Sequence, residues 1–189
     1  MEPSDLLRKV AVTLDKLGVA YIVVGSTAST LYGDPRFTND IDVVLDLQPE
    51  QVEAFCAEFP DSEYYLSRPA VESAVRKRFQ FNIVHPLSGF KVDCILVSGD
   101  AFDQSRLRRS IRVSIDRGVY EANFASAEDV IIKKMEYFQL GQSEKHARDI
   151  LGILRQQGSR IDRRYIGEWA QRKGLADIWD AILVRLAEG

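Results

Sequence analysis

Cysteine, histidine and long apolar runs are what this sequence has least of. Two cysteines, Cys56 and Cys94, stand far apart in 189 residues with no metal-type spacing. That excludes a zinc-finger pattern and a disulfide framework, and it fits free thiols in a reducing compartment. Neither His85 nor His146 has an acid or cysteine at a recognisable spacing, so no Ser-His-Asp order is present and both are expected to be structural. No apolar run approaches the roughly 20 residues of a membrane-crossing helix. The opening "MEPSDLLRKV" lacks the apolar h-region of a secretory signal. The expectation is therefore a cytoplasmic protein with no membrane partner. A Walker loop, internal repeats and low-complexity segments are also missing. So is a basic excess: 25 Lys and Arg face 28 Asp and Glu, a formal net charge of −3, and no global field advertises nucleic acid. The charge is uneven, however. "SRLRRSIR" (Ser105 to Arg112) and "RQQGSRIDRR" (Arg155 to Arg164) are strongly basic. Each reads either as solvated surface or as a landing strip for a polyanion.

What is present is a change of period along the chain. "SDLLRKVAVTLDKLG" reads as a helix capped by Ser4, with Leu6, Val10, Leu14 and Leu17 as its apolar stripe and Gly18 as its stop. "AYIVVG" reads as a buried strand, "STASTLYG" as a helix starting at Ser26, and "DIDVVLDL" as a second strand. "QPEQVEAFCAEF" and "RPAVESAVRKR" read as helices, the first with Pro49 near its opening turn. "FQFNIVHPLSGFKVDCILV" is a hairpin around Pro86-Leu87-Ser88-Gly89, and "SIRVSID" and "VYEANFA" form a further pair joined at Arg117-Gly118. Beyond that point the period becomes helical. "SAEDVIIKKMEYF" opens with Ser126 and Asp129 in a capping-box-like arrangement, and "SEKHARDILGILRQQG" and two further helices follow. Trp169 and Trp179 fall at helical core or rim positions. The expected class is α/β (α+β), with a core over 1–124 and a helical subdomain over 125–189 packed on it.

The chemistry concentrates in "GSTASTLYGDPRFTNDIDVV". Residues two apart on a strand share a face, so Asp40 and Asp42 point the same way, their Cα atoms roughly 6.5 Å apart, while Ile41 points into the core. Two carboxylates this close resist joint ionisation unless a cation lies between them, and an all-oxygen donor set suits Mg²⁺ or Mn²⁺. An exposed strand start is the alternative. Gly25-Ser26 lies at a strand-to-helix junction, where glycine admits a phosphate close to the backbone and Ser26 adds a hydroxyl. Ser26 can equally serve as a helix cap. Asp93, inside the apolar strand "KVDCILV", needs a compensating partner: a hydrogen-bond donor, Lys91 on its own strand face, or a shared metal. Cys94 points to the opposite face and reads as core. Arg36 and Thr38, in the loop before Asp40, suit phosphate or ribose oxygens, although Thr38 can also cap the loop.

"GSTAS…PRFTNDIDVVL" with Asp93 in "KVDCIL" resembles the G-S-x(n)-D-x-D signature and third carboxylate of the DNA polymerase β-like nucleotidyltransferase superfamily, over roughly residues 20–97. The resemblance implies a mixed sheet with flanking helices. It implies that Gly25 and Ser26 hold nucleotide phosphates and that Asp40, Asp42 and Asp93 bind two divalent ions, Mg²⁺ or Mn²⁺. An acceptor hydroxyl then attacks the α-phosphate of a nucleoside triphosphate, and pyrophosphate leaves. The second half is similar to the tail of minimal nucleotidyltransferases of type IV, abortive-infection-like toxin–antitoxin systems. On that resemblance Lys134 contacts nucleotide phosphates, and Lys145, Arg148 and Asp149 occupy a motif in which Asp149 orients a basic residue. Arg148 stands where lysine is usual and cannot deprotonate. Apart from the resemblance, Lys134 lies at the edge of a buried helical face and could snorkel, and Asp149 could pair with Lys145 one turn back.

The function implied is metal-dependent transfer of a nucleoside monophosphate to tRNA, a protein or a small molecule, with a cognate antitoxin as partner if the chain is a toxin. The alternative is a non-catalytic nucleotide- or partner-binding module on the same fold. A metal-dependent nuclease ranks last.

Overall fold

The computed structural model describes residues 2–34, 40–115 and 118–188, which divide into two compact units. The first contains the described residues up to Thr27 and from Asp40 to Ala125. The second runs from Ser126 and also takes in the described residues between Ala28 and Arg36.

In the first unit, helix α1 (Pro3–Lys16) leads into strand β1 (Tyr21–Val24), and helix α2 (Gly25–Tyr32) follows β1 directly. Strand β2 (Asp40–Leu45) precedes a 3₁₀ turn at Pro49–Gln51, helix α3 (Val52–Ala57) and helix α4 (Arg68–Lys77). The hairpin of β3 (Gln80–His85) and β4 (Phe90–Leu96) comes next, then helix α5 (Ala101–Arg108) and the pair β5 (Ile111–Ile115) and β6 (Tyr120–Phe124). The six strands form one mixed sheet in the order β3-β4-β2-β1-β6-β5. β2 runs parallel to β4 and β1 parallel to β6, while the other neighbours are antiparallel.

α1 packs on β6 and β4, and α4 on β3. Leu6, Val10 and Leu14 of α1, with Ile22, Val43, Leu45, Phe55 and Ile83, are fully buried and make the core. Burial of such side chains is the main stabilising term, about 1.5–3 kcal/mol each. Phe55, Phe59, Phe81 and Tyr64 extend the core by edge-on and tilted ring contacts 5.2–5.7 Å apart, and His85 closes the chain against Tyr64.

The second unit packs helices α6 (Ala127–Gly141), α7 (Glu144–Gln157), α8 (Arg163–Lys173) and α9 (Ala176–Glu188) around Ile131, Met135, Ile150, Ile153, Ile166, Trp179 and Ile182. Ser126 caps α6, its hydroxyl accepting the Asp129 N–H at 3.2 Å. Asp162 caps α8 in the same way. The 28–34 stretch joins this unit because Gly33 lies against Ile153, and Gln156 and Gln157 donate to Asp34 and to the Tyr32 carbonyl.

One local expectation is corrected, and one element had no reading in the sequence. The cap of α1 is Glu2, whose N–H donates to Asp5 at 2.8 Å; Ser4 lies inside the helix behind Pro3, a residue pre-shaped for the first turn. Helix α5 escapes a reading by apolar period because its anchor is polar. Asp100 caps it, and the buried Asp103 pairs with buried Arg106 at 2.5 Å. Among the described residues, no helix is long and apolar enough to cross a membrane.

Candidate active site

The β2–β4–β3 part of the sheet has one buried face and one open face. Ile41, Val43, Val92, Cys94, Phe81 and Ile83 point into the core, and the residues between them are exposed or half-buried. Burial pushes the Cys94 thiol up, which leaves it an inert core group. The open face carries the acids. Parallel register sets Asp42 opposite Asp93 and Asp40 opposite Lys91, so the four side chains form a square on one face of two adjacent strands. Antiparallel register sets Asn82 of β3 opposite Asp93 on the other side.

Lys91 Nζ lies 3.0 Å from Asp93 Oδ2 and 3.7 Å from Asp40 Oδ1. The Asp93 hydrogen bond, and after it the fields of Asp40 and Asp42, outweigh partial burial and hold this ammonium above the usual lysine value. With its amide nitrogen turned toward the carboxylate, Asn82 donates to Asp93 Oδ1 at 2.9 Å. Both Asp93 oxygens are thus held. Lys91 was readable as a same-face neighbour two residues from Asp93, and Asn82 by counting back across the Pro86–Gly89 turn. The Lys91–Asp40 contact depends on parallel pairing of strands that are not consecutive.

Gly25 closes the site from the β1 side. Val24 is opposite Asp42, and Gly25 follows with φ +64° as the first residue of α2. A Cβ on Gly25 would stand 1.9 Å from Asp42 Oδ2. Only glycine satisfies both the backbone conformation and this approach. Ser26 lies next to it in the first turn of α2. Arg36 and Thr38 lie outside the described residues.

The second unit places the remaining candidates. Lys134 is buried in α6, and its Nζ donates to Asp149 Oδ2 of α7 at 2.5 Å. Asp149 therefore meets a lysine fifteen residues back. Lys145 and Arg148 lie on the same helix, Lys145 exposed. Lys133 instead makes a half-buried pair with Glu136 and lies over the Tyr137 ring. Of the basic stretch Ser105 to Arg112, Arg106 is buried on Asp103, and Arg112 binds Asp15 through two nitrogens and Glu121 through a third. Arg108 faces solvent.

No family model and no curated protein matches the sequence. Solved structures do match. A nucleotidyltransferase-like antigenic protein from Paracoccidioides brasiliensis is 21% identical, with 81% of this chain and 74% of that one covered at a TM-score of 0.52. The enzyme ANT(2″)-Ia, solved with adenylyl-2″-tobramycin, is 12% identical, with 89% of this chain and 97% of that one covered at a TM-score of 0.57. The chain has a nucleotidyltransferase-type fold. At these identities the likeness is one of architecture, and the site must be argued from its own residues.

Those residues suit a divalent ion in donor chemistry. Three carboxylates share one open sheet face, Gly25 leaves room for Asp42, and the face already draws a cation, the Lys91 ammonium. Among the described residues, no three His, Cys, Asp or Glu side chains are grouped closely enough to hold a metal as they stand. Lys91 occupies the space between Asp40 and Asp93.

Proposed function

We propose that this chain is a metal-dependent nucleotidyltransferase that moves a nucleoside monophosphate from a nucleoside triphosphate to an acceptor hydroxyl. The supporting observation is the register that sets Asp42 opposite Asp93, with Asp40 on the same face and Gly25 fitted against Asp42, on a sheet of this type. Asp40, Asp42 and Asp93 would hold Mg²⁺ or Mn²⁺, two ions in the full reading. Bound there, the ions supply charge neutralisation for phosphate and polarise the reacting oxygens.

The chain itself binds and orients. The backbone N–H groups at Gly25 and Ser26, and the Ser26 hydroxyl, are proposed to bind phosphate oxygens at the start of α2. Arg36 and Thr38 are proposed for phosphate or ribose. Lys134, held by Asp149 with Arg148 its neighbour in the chain, is proposed to contact nucleotide phosphate; a raised KM for triphosphate in Lys134→Met is the expected sign. Asn82 orients the Asp93 carboxylate, which is proposed to take the acceptor's proton. The bond from the acceptor oxygen to the α-phosphorus forms while the α-phosphorus to bridging-oxygen bond breaks, and pyrophosphate leaves. Rate enhancement comes from positioning and fixed charge.

The pairing of Arg106 and Arg112 with acids removes two cations from the basic stretch, which favours a small-molecule hydroxyl over a polyanion as acceptor. The toxin–antitoxin resemblance instead implies a tRNA end or a protein side chain, and a cognate antitoxin. Incubating the protein with each α-labelled triphosphate, Mg²⁺, total tRNA, lysate protein and small-molecule extract identifies the acceptor by where the label lands. Asp42→Asn should lower transfer by roughly 10²-fold or more. Undiminished transfer by a folded Asp42→Asn protein overturns the reading.

One observation favours a second reading, a nucleotide-binding module without turnover: the Lys91 ammonium already contacts two of the acids. It expects triphosphate binding that is indifferent to metal, with no labelled product.

A further inference from the structure

The three carboxylates of the open face carry a formal charge of −3, and Lys91 brings it to −2. That lysine is placed by two independent pieces of geometry. It is two residues from Asp93 on one strand, which puts both on one face, and the parallel register sets it opposite Asp40 on the next. Its ammonium spans the two acids at 3.0 and 3.7 Å. It lies between two of the acids, which among the described residues do not form a group ready for metal.

We propose that Lys91 is a tethered counter-cation that competes with the divalent ion for Asp40 and Asp93, so that it sets the metal affinity of the site while keeping the acids gathered without metal. This inference rests on the metal-binding reading above. A cation on a side chain is present at high effective concentration whatever the metal level, so loading requires the Lys91–Asp40 and Lys91–Asp93 contacts to open. Once released, the ammonium remains within a side chain's length of the face as a positive charge for a polyphosphate. Lys91 is thus a positioning residue that acts through the carboxylates. A lysine serving structure alone would behave in the opposite way: its loss would scatter the acids and weaken metal binding.

The test is a Mn²⁺ titration, read by the electron paramagnetic resonance of free Mn²⁺, on wild type, Lys91→Met, Lys91→Gln, Lys91→Arg and Asp42→Asn. Melting curves in EDTA check that each variant is folded. Neutral replacement should tighten Mn²⁺ binding about three- to tenfold, the scale of one partly exposed ion-pair set. Lys91→Arg, which keeps the charge and grips carboxylates with two nitrogens, should not tighten it. Either neutral variant, folded, binding Mn²⁺ no more tightly than wild type overturns the inference, as does tightening by Lys91→Arg. If Asp42→Asn binds Mn²⁺ as wild type does, or wild type binds none, the metal reading itself fails. If Asp42→Asn loses binding while neutral Lys91 variants do not gain it, only the role of Lys91 fails.

Discussion

Lys91 in the first unit and Lys134 in the second both meet an aspartate, and they do so under different conditions. The Lys91 side chain is 33% exposed on an open sheet face, between an Asp93 that is 22% exposed and an Asp40 that is 60% exposed. The Lys134 side chain is 6% exposed between helices, against Asp149 at 20%. Water can replace either partner of the first pair at little cost, so that pair is exchangeable. It replaces the second less easily, because the Lys134 ammonium is buried. The contrast is one of burial and not of residue type. The first unit also has a sealed pair, Asp103 with Arg106 within α5, and Ser98 donates to the same Asp103 carboxylate. An open pair exchanges partners readily, whereas a sealed pair holds its charged groups in one place.

The sharpest way to break this comparison is Asp149→Ala. Leaving Lys134 buried without its carboxylate should cost about 3 kcal/mol in urea denaturation, and the double change Lys134→Met with Asp149→Leu should recover most of that. Gly25→Ala comes next, at about 1–3 kcal/mol in stability, because it forces alanine into a left-handed conformation and drives its Cβ against Asp42. Nucleotide transfer should fall with it, as Asp42 is displaced. Lys91→Met should stay within about 1 kcal/mol of wild type in metal-free melts. A Lys91→Met cost as large as that of Asp149→Ala would dissolve the distinction between open and sealed pairs.

The smallest effect concerns acid. Burial would raise the Asp103 carboxyl, but Arg106 and the Ser98 hydroxyl and N–H outweigh it and hold it below the usual 3.8. A depressed folded value contributes stability above the unfolded value, and that contribution is lost as pH falls through the folded one. Asp103→Asn should therefore flatten the decline of unfolding free energy below about pH 4.

Much of the fold was legible because period and punctuation agree. The β3–β4 hairpin announces itself by alternation on both sides of Pro86–Gly89, and α6 by Ser126 followed by an apolar period. Helix α5 was not legible, since two of its three buried residues, Asp103 and Arg106, read in sequence as surface charge. Within the site, the shared face of Asp40 and Asp42 follows from alternation alone. The opposition of Asp42 and Asp93 does not, because β2 and β4 are separated by two helices and a strand and pair in parallel. Likewise Asp149 has a lysine four residues back, and only helix packing brings it to Lys134 instead.

By itself the sequence determined which residues alternate to which face of each strand and roughly where the strongly periodic helices lie, because those depend on neighbours a few bonds away. Tertiary structure decided which strands lie side by side, and with that which cation stands among the acids. Register between distant strands is set by the packing of the whole core, and no local spacing encodes it.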